Sequence, residues 1–264
     1  MKQPHFTPKV SLVGAGPGDP DMLTLKALKA LQSASLILVD DLVSEDILAL
    51  APETAQVVKV GKRGGCRSTP QAFIHKWMVQ AALSGEKVVR LKGGDPLIFG
   101  RGGEEVDHLR SAGIEVEIIN GVTSALAGMA GLQTALTHRD HAQGVLFVTG
   151  HRQASGASTP WTDIARAAQS ARLTLVIYMG MAELNHIQAQ LLLGLPPSTP
   201  VALLQNISLP DQRHAITCLS DASQCAAEHG FSSPTVIVVG EVLSGIQALG
   251  LNGDTLVQAQ KSQA

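Results

Sequence analysis

The segment Val88–Arg101, which reads V-V-R-L-K-G-G-D-P-L-I-F-G-R, joins an apolar run to a loop that is rich in glycine and charge. The run Val88–Leu91 is typical of a strand in the core of a sheet. Gly93 and Gly94 permit positive φ angles and let a ligand approach the backbone, and Asp95 adds a carboxylate. The segment therefore predicts a binding loop at the end of a strand, with an ordinary surface turn as the alternative.

Four other strand-like runs in the first half of the chain also end in polar loops. The five predicted strands are Val10–Val13, Leu36–Val39, Val57–Val60, Val88–Leu91 and Glu115–Ile119. The loops after them begin at Gly14, Asp40, Gly61, Gly93 and Asn120. Segments with helical spacing lie between the strands, so the pattern predicts a doubly wound α/β domain. Because ligands bind at the carboxyl ends of such strands, we expect these loops to share one site.

The second half of the chain repeats the alternation of strands and helices. The predicted strands are Val145–Thr149, Leu173–Tyr178, Val201–Leu204, Ala215–Leu219 and Val236–Val239, and the predicted helices are Ser124–Gly131, Trp161–Gln169, Glu183–Leu193 and Asp221–Glu228. This pattern predicts an N-terminal α/β domain over residues 1–122, a C-terminal α/β domain over 123–250 and a polar tail over 251–264.

Composition narrows the class of protein. The net charge is −2, which gives no electrostatic reason to expect binding to nucleic acid or to a membrane surface. With 45% apolar but only 3% aromatic residues, the core is built from Val, Ile, Leu and Ala. The three cysteines have no spacing that indicates disulfides or zinc, and the start of the chain lacks the apolar segment of a signal peptide. We therefore expect a soluble, cytoplasmic protein.

The first glycine loop, Gly14-Ala15-Gly16, does not match the dinucleotide-binding fingerprint. Asp19 stands where the third glycine is required, and a carboxylate there would repel a pyrophosphate. Pro17 lacks the backbone N–H that a phosphate needs. These features favour a cofactor that has an adenosine but no phosphate. A nucleotide-binding Rossmann-type protein remains the alternative, since the acidic pair Asp40-Asp41 follows at the distance of a ribose partner.

Several ordered motifs resemble those of the tetrapyrrole methylase family. They are V-G-A-G-P-G-D-P at Val13–Pro20, L-K-G-G-D-P-L-I-F-G-R-G-G-E-E at Leu91–Glu105, T-H-R at Thr137–Arg139, V-T-G-H at Val148–His151 and Y-M-G at Tyr178–Gly180. The run Asp40–Val43 and the loop Gly61–Gly65 are similar to the branch that acts on uroporphyrinogen III. The resemblance spans about residues 8 to 245.

This resemblance implies two α/β domains with mixed, largely parallel sheets and a trough between them, in a homodimer. It implies two methyl transfers from S-adenosylmethionine to carbons on rings A and B of uroporphyrinogen III, which give precorrin-2. By motif match, the implied S-adenosylmethionine contacts are Pro17, Gly93, Gly94, Asp95, Ile98, Thr123, Ser124, Met179 and, more weakly, Ile207. Asp40 and Lys62 match positions tied to catalysis or substrate handling. A later precorrin is the alternative substrate within the family.

The residue types agree with this chemistry. A carboxylate such as Asp40 can accept the proton that the ring loses after attack on a sulfonium methyl group, although it can also cap a helix. The eight carboxylates of the substrate call for basic side chains, and the candidates are Arg101, Lys62, Arg63 and Arg139. We predict Arg101 to be catalytic beside Asp40 and Lys62.

The remaining candidate substrate contacts are Glu104, which can also hold Arg101 or cap the next helix, and His138. His138 and His141 could transfer protons or bind a metal. Two loop histidines without further ligands are weak support for a metal, so none is predicted.

Overall fold

The structure, a computed structural model, describes residues 7–61, 69–151 and 159–245. The chain divides into two compact units, Met1–Ser124 and Ala125–Ala264. The predicted Lys62 and Arg63 lie outside the described residues.

The first unit contains one parallel sheet with helices on both faces. Its elements are β1 (Lys9–Gly14), α1 (Leu25–Gln32), β2 (Leu36–Val39), α2 (Glu45–Leu48), β3 (Gln56–Lys59), α3 (Gln71–Leu83), β4 (Val88–Lys92), α4 (Gly102–Ser111) and β5 (Glu115–Ile119). The strand order is β3-β2-β4-β1-β5, and every pairing is parallel. The predicted doubly wound sheet is therefore confirmed.

Alternation along the strands divides the core of the first unit in two. On one face Leu38 and Val88 pack with α3 and α4, while on the other face Ile37 and Val89 pack with α1 and α2. Strands β2 and β4 at the centre of the sheet are buried on both sides, which explains their largely apolar sequences, whereas the edge strand β3 is mostly exposed.

The second unit is built on a mixed sheet. Its elements are α5 (Ser124–Gly131), β6 (Gly144–Thr149), α6 (Trp161–Ala171), β7 (Leu173–Tyr178), α7 (Leu184–Leu191), β8 (Pro200–Gln205), β9 (Arg213–Cys218), α8 (Ala222–Glu228) and β10 (Thr235–Val239). The order is β6-β7-β10-β8-β9, with β6 and β7 parallel and the other three pairings antiparallel. Five of the eight described pairings in the two sheets are thus parallel, which confirms the predicted mixed, largely parallel α/β fold.

The directions of the strands decide which loops of the second unit share an edge of its sheet. Strands β6, β7 and β8 run the same way, because β10 is antiparallel to both β7 and β8. Their carboxyl ends lead into Gly150, Met179 and Asn206 at one edge. The loop before β6 therefore lies at the opposite edge.

Candidate active site

The topological switch point of the first sheet lies between β2 and β4. Strand β2 continues through α2 on one face of the sheet, whereas the neighbouring strand β4 continues through α4 on the other face. In open α/β sheets the crevice at such a point binds the ligand. Asp40 follows β2 and Gly93 follows β4, so two of the predicted site residues border this crevice.

Glycine allows the loops after β4, β1 and β5 to pack backbone against backbone. A Cβ atom on Gly14 would lie 2.4 Å from the backbone N of Gly121, and a Cβ on Gly121 would lie 2.2 Å from the carbonyl oxygen of Gly94. Gly94 has φ +70°, and it exchanges backbone hydrogen bonds with Gly16, at 2.7 and 3.1 Å. A larger side chain at Gly14 or Gly121 would force these three strand ends apart.

Asp95 connects two of these loops through its own carboxylate. Its Oδ1 accepts a hydrogen bond from the backbone N of Leu97 at 2.8 Å. Its Oδ2 accepts from Nδ2 of Asn120 at 3.0 Å and from the backbone N of Gly121 at 3.2 Å. Asp95 is buried, so its carboxylate shapes the site by fixing the β4 and β5 loops to each other. The sequence predicted a ligand-facing carboxylate here and gave no signal for this internal role.

The other predicted cofactor contacts of the first unit lie close in sequence to Gly16, Gly94 and Gly121. Pro17 follows Gly16, and Ile98 lies in the β4 loop; both are half-buried. Thr123 is buried, and the carbon nearest to a Cβ built on Gly94 is its Cα, 3.9 Å away. Ser124 is the first residue of α5. The structure thus brings the loops carrying Pro17, Gly93, Gly94, Asp95 and Thr123 to one edge of the first sheet.

Asp40 belongs to a buried group of four charged side chains, together with Arg90, Lys92 and Glu105. Asp40 pairs with Arg90, and its Oδ2 lies 3.5 Å from Nζ of Lys92. Glu105 on α4 pairs with Arg90 at 3.0 Å and with Lys92 at 3.2 Å. The side chain of Asp40 is 31% exposed, against 3% for both cations and 0% for Glu105. Asp40 is therefore the member of the charged quartet that faces outward.

The electrostatic environment differs between the two cations of the charged quartet. Burial opposes the positive charge of Arg90, but the facing carboxylates of Asp40 and Glu105 outweigh burial and raise its pKa. Burial lowers the pKa of Lys92, and the adjacent Arg90 lowers it further, against the opposing effect of Asp40 and Glu105. Lys92 is thus the cation that gives up its proton more easily.

Arg90 and Lys92 were not among the residues predicted for the site, and the charged quartet was not predicted from the sequence. A signal was present, because two charges two residues apart in an apolar strand point to the same face and must be paired when buried. Asp41, the neighbour of Asp40, is exposed, and its carboxyl group occupies the position where Gly61 would carry a Cβ. Asp40 and Asp41 thus face different surroundings.

Arg101 lies at the start of α4 with φ 57°, a left-handed conformation that is uncommon for a residue with a side chain. Its guanidinium group donates to Glu104 from Nε at 3.0 Å and from Nη2 at 2.5 Å. Both side chains are 56% exposed. Of the two roles considered for Glu104, the structure shows the contact with Arg101.

In the second unit, Met179 and Ile207 follow β7 and β8 at the same edge of the sheet. Met179 is 50% exposed and has φ 54°, so an apolar side chain is held outward on a strained backbone. Ile207 is only 5% exposed, and its Cδ1 would lie 2.9 Å from a Cβ on Gly128 of α5. Its side chain is thus used in packing, which leaves mainly the backbone for a ligand.

His138 and Arg139 lie at the opposite edge of that sheet, before β6. The backbone oxygen of Arg139 accepts a hydrogen bond from Arg172, which directly precedes β7. The rings of His138 and His141 are 4.7 Å apart, and Nδ1 of His138 accepts from the backbone N of Asp140. Within the second unit, the structure does not bring His138 and Arg139 to the edge that carries Met179.

The described part of the chain shows neither a metal-binding cluster nor a membrane-spanning helix. Within residues 7–61, 69–151 and 159–245, no group of three or more His, Cys, Asp or Glu side chains is arranged to hold a metal ion. Among the helices that the structure describes, none combines the length and the apolar character needed to cross a membrane.

The fold and the glycine-rich strand ends define a two-unit α/β protein with a candidate small-molecule site at a switch point. The chain belongs to the Tetrapyrrole (Corrin/Porphyrin) Methylases, whose family model matches residues 9–223.

Three proteins illustrate the similarity. The chain is 48% identical over 239 residues to uroporphyrinogen-III C-methyltransferase of Pseudomonas aeruginosa, covering 90% of this chain and 95% of that protein. It is 44% identical over 247 residues to siroheme synthase 2 of Aeromonas hydrophila, covering 93% of this chain and 51% of that protein. Uroporphyrin-III C-methyl transferase of Thermus thermophilus, solved with S-adenyl homocysteine, has a TM-score of 0.75 and 40% identity over 90% of this chain and 99% of that one.

Proposed function

We propose that this protein is an S-adenosylmethionine-dependent C-methyltransferase that adds two methyl groups to uroporphyrinogen III and forms precorrin-2. The observation that carries the proposal is Asp40, a partly exposed carboxylate held by two buried cations at the switch point, beside the bare backbone of Gly93 and Gly94. Membership of the family and 48% identity to a named uroporphyrinogen-III C-methyltransferase support the choice of substrate.

The loops at this edge fit an adenosyl group better than a phosphate. Gly94 carries no side chain, and among the described residues other than its chain neighbours only the Cα of Thr123, at 3.9 Å, lies within 4 Å of where its Cβ would be. Pro17 and Asp19 occupy the first glycine loop, where a phosphate would need N–H donors and no carboxylate. We propose Pro17, Gly93, Gly94, Asp95, Ile98, Thr123 and Ser124 as S-adenosylmethionine contacts in the first unit. Met179 and Ile207 stay predictions for the second.

S-adenosylmethionine supplies an electrophilic methyl group on a sulfonium. A nucleophilic ring carbon forms the new carbon–carbon bond, while the carbon–sulfur bond breaks and its electron pair stays on sulfur. The contribution of the protein is mainly to align the two reactants. The methylated ring is left with a positively charged nitrogen, and loss of the N–H proton neutralises it. We propose that Asp40 accepts this proton, because its carboxylate is held in place by Arg90 and Lys92.

Basic side chains bind the acidic substrate in this proposal. Arg101 is exposed at the start of α4, where it can exchange its contact with Glu104 for a substrate carboxylate. Lys62 and Arg63 keep their predicted roles in catalysis and substrate binding. His138 and Arg139 stay predictions as substrate contacts.

The finer statements about context are also proposals. We propose a homodimer in the cytoplasm that acts on a small-molecule substrate and does not bind nucleic acid or membranes. We propose that its product feeds the synthesis of sirohaem, cobalamin or haem d1, since siroheme synthases are among its relatives.

The proposal can be tested by following label from methyl-labelled S-adenosylmethionine into enzymatically generated uroporphyrinogen III under anaerobic conditions. Transfer that is inhibited by S-adenosylhomocysteine would support the proposed function. Binding of S-adenosylhomocysteine without transfer would contradict the substrate and keep the cofactor.

A further inference from the structure

The charged quartet of Asp40, Arg90, Lys92 and Glu105 has more internal contacts than are needed to hold one carboxylate. Glu105 contacts both cations, and both cations contact Asp40. Nη1 of Arg90 also donates to the backbone oxygens of Leu38 and Leu91, at 3.2 and 3.3 Å. The formal charges of the four side chains cancel. The result is a closed neutral group that connects α4 to the end of β2.

Stability does not account for such an arrangement. Arg90, Lys92 and Glu105 are 2%, 3% and 0% exposed, on a sheet face that elsewhere carries residues such as Leu38 and Val88. Taking charges out of water is energetically costly, and a core in which well-packed apolar residues replace a buried ion pair is often as stable or more stable. A buried ionic group at a binding edge therefore indicates a role in the site.

The burial of the charged quartet is graded towards Asp40. Glu105 lies deepest, the two cations lie between, and the Asp40 carboxylate alone of the four is partly exposed, at 31%. Behind Glu105, Gln71 on α3 donates to its Oε1 at 3.0 Å. Glu105 is thus fixed from the side away from Asp40.

We propose that Glu105, Arg90 and Lys92 are positioning residues that set the orientation of Asp40 and the charge balance around its carboxylate for the proton transfer that follows methylation. This inference rests on the proposed function, in which Asp40 accepts that proton. Glu105 acts through the two cations, since it balances their charge and limits how strongly they attract the Asp40 carboxylate.

Other charged or titratable groups surround the far side of Glu105. His75 on α3 lies 3.0 Å from Gln71 through its Nε2, and its ring stacks on His108 of α4 at 4.6 Å. Arg101 and Glu104 act on His75 through their charges. Burial and the neighbouring His108 lower the pKa of His75. Because these groups stay in place in every variant below, they do not alter the comparison between variants.

Changes of charge within the quartet should move the pH dependence of the chemical step in opposite directions. Glu105→Gln leaves two cations facing one carboxylate, so the group around Asp40 gains a net positive charge. Lys92→Met removes one cation and has the opposite effect. We expect the acidic limb of the single-turnover rate to move to lower pH in Glu105→Gln and to higher pH in Lys92→Met. The double variant is again neutral, so its limb should return towards that of the wild type.

The test measures single-turnover methyl transfer to uroporphyrinogen III against pH for the wild type, both single variants and the double variant. Asp107→Asn on the exposed face of α4 is the matched control and should behave as the wild type. We expect the maximal rate to fall on the order of tenfold in the single variants. The Kd for S-adenosylhomocysteine should stay within about twofold, because only neighbours of the proton-accepting group are altered. If Glu105→Gln does not fold, Lys92→Met and the double variant carry the test.

Suppose that the wild type is active and that the acidic limbs of the folded variants coincide with the wild-type limb. That result would overturn the positioning role. A purely structural role predicts that result, with lower stability but an unchanged pH profile. An absence of transfer by the wild type would overturn the proposed function, and this inference with it.

Discussion

Asn120 donates a hydrogen bond from Nδ2 to Oδ2 of Asp95 over 3.0 Å, and so ties the loop after β5 to the loop after β4. The same oxygen accepts the backbone N–H of Gly121. A side chain and a backbone group from one loop thus converge on one carboxylate of the other. The expected S-adenosylmethionine contacts on these two loops depend on this connection.

Replacement of Asn120 by Ala should loosen the connection without removing it, because Gly121 still donates to Asp95. We expect a loss of about 1 kcal/mol in the free energy of unfolding and a several-fold weaker Kd for S-adenosylhomocysteine. Urea unfolding and calorimetric titration measure the two quantities. Asn185→Ala, on the exposed face of α7, is the control. An unchanged Kd in Asn120→Ala would show that the connection does not shape the cofactor site.

Asp40 and Asp41 form a matched pair of neighbours with different surroundings. Asp40→Asn should reduce methyl transfer about 100-fold or more, since the proton acceptor is lost, while the Kd for S-adenosylhomocysteine is kept. Asp41 is exposed and lies over Gly61, so Asp41→Asn should retain most of the activity. Equal losses in the two variants would remove the proposed base.

Arg101→Ala should weaken the binding of uroporphyrinogen III and spare that of S-adenosylmethionine. A lost charge-assisted contact with a substrate carboxylate corresponds to a rise in KM of about tenfold or more. Stability should hardly change, because the contact with Glu104 joins two exposed side chains. Arg110→Ala, in the last turn of α4, is the control for the loss of a positive charge. The role fails if both variants keep the wild-type KM.

His214 on β9 should make the protein less stable in mild acid. Burial lowers its pKa below the ordinary value of 6.5, so the folded protein binds the proton less well than the unfolded chain. Stability is therefore full above pH 6.5 and is lost as the pH falls through the lower pKa of the folded state. Urea unfolding at about pH 7.5 and about pH 5.5 measures the loss, which should be smaller in His214→Gln than in the wild type. His186→Gln, on the exposed face of α7, should lose as much as the wild type.

Much of the fold could be predicted from sequence because the central strands β1, β2 and β4 of the first sheet are largely buried on both faces. Leu36–Val39 and Glu115–Ile119 were placed at the observed bounds, since apolar and β-branched runs are a strong local signal. The antiparallel pairings of β8, β9 and β10 could not be predicted from their apolar runs. Such runs look alike whether their partner is parallel or antiparallel, because direction depends on where distant strands pair.

The candidate site could be predicted in part, because the residues at strand ends are also a local signal. Glycine and Asp at strand ends indicate loops that converge, and the edge after β1, β4 and β5 carries them. The sequence did not reveal that Glu105 on α4 would complete the charged quartet, because that contact is formed only when α4 packs on β4. Nor did it reveal that the carboxylate of Asp95 is occupied by Asn120 and Gly121.

The central claim is tested most directly by the mass of the product. The purified protein is incubated anaerobically with uroporphyrinogen III and S-adenosylmethionine. The tetrapyrrole is then oxidised, and its mass is measured by mass spectrometry. The account predicts a gain of two methyl groups in the wild type and in Asp41→Asn, and a gain that is slower by about 100-fold or more in Asp40→Asn. If the protein binds S-adenosylhomocysteine but the mass of the tetrapyrrole does not change, the account is contradicted. The search for the substrate would then turn to a later precorrin.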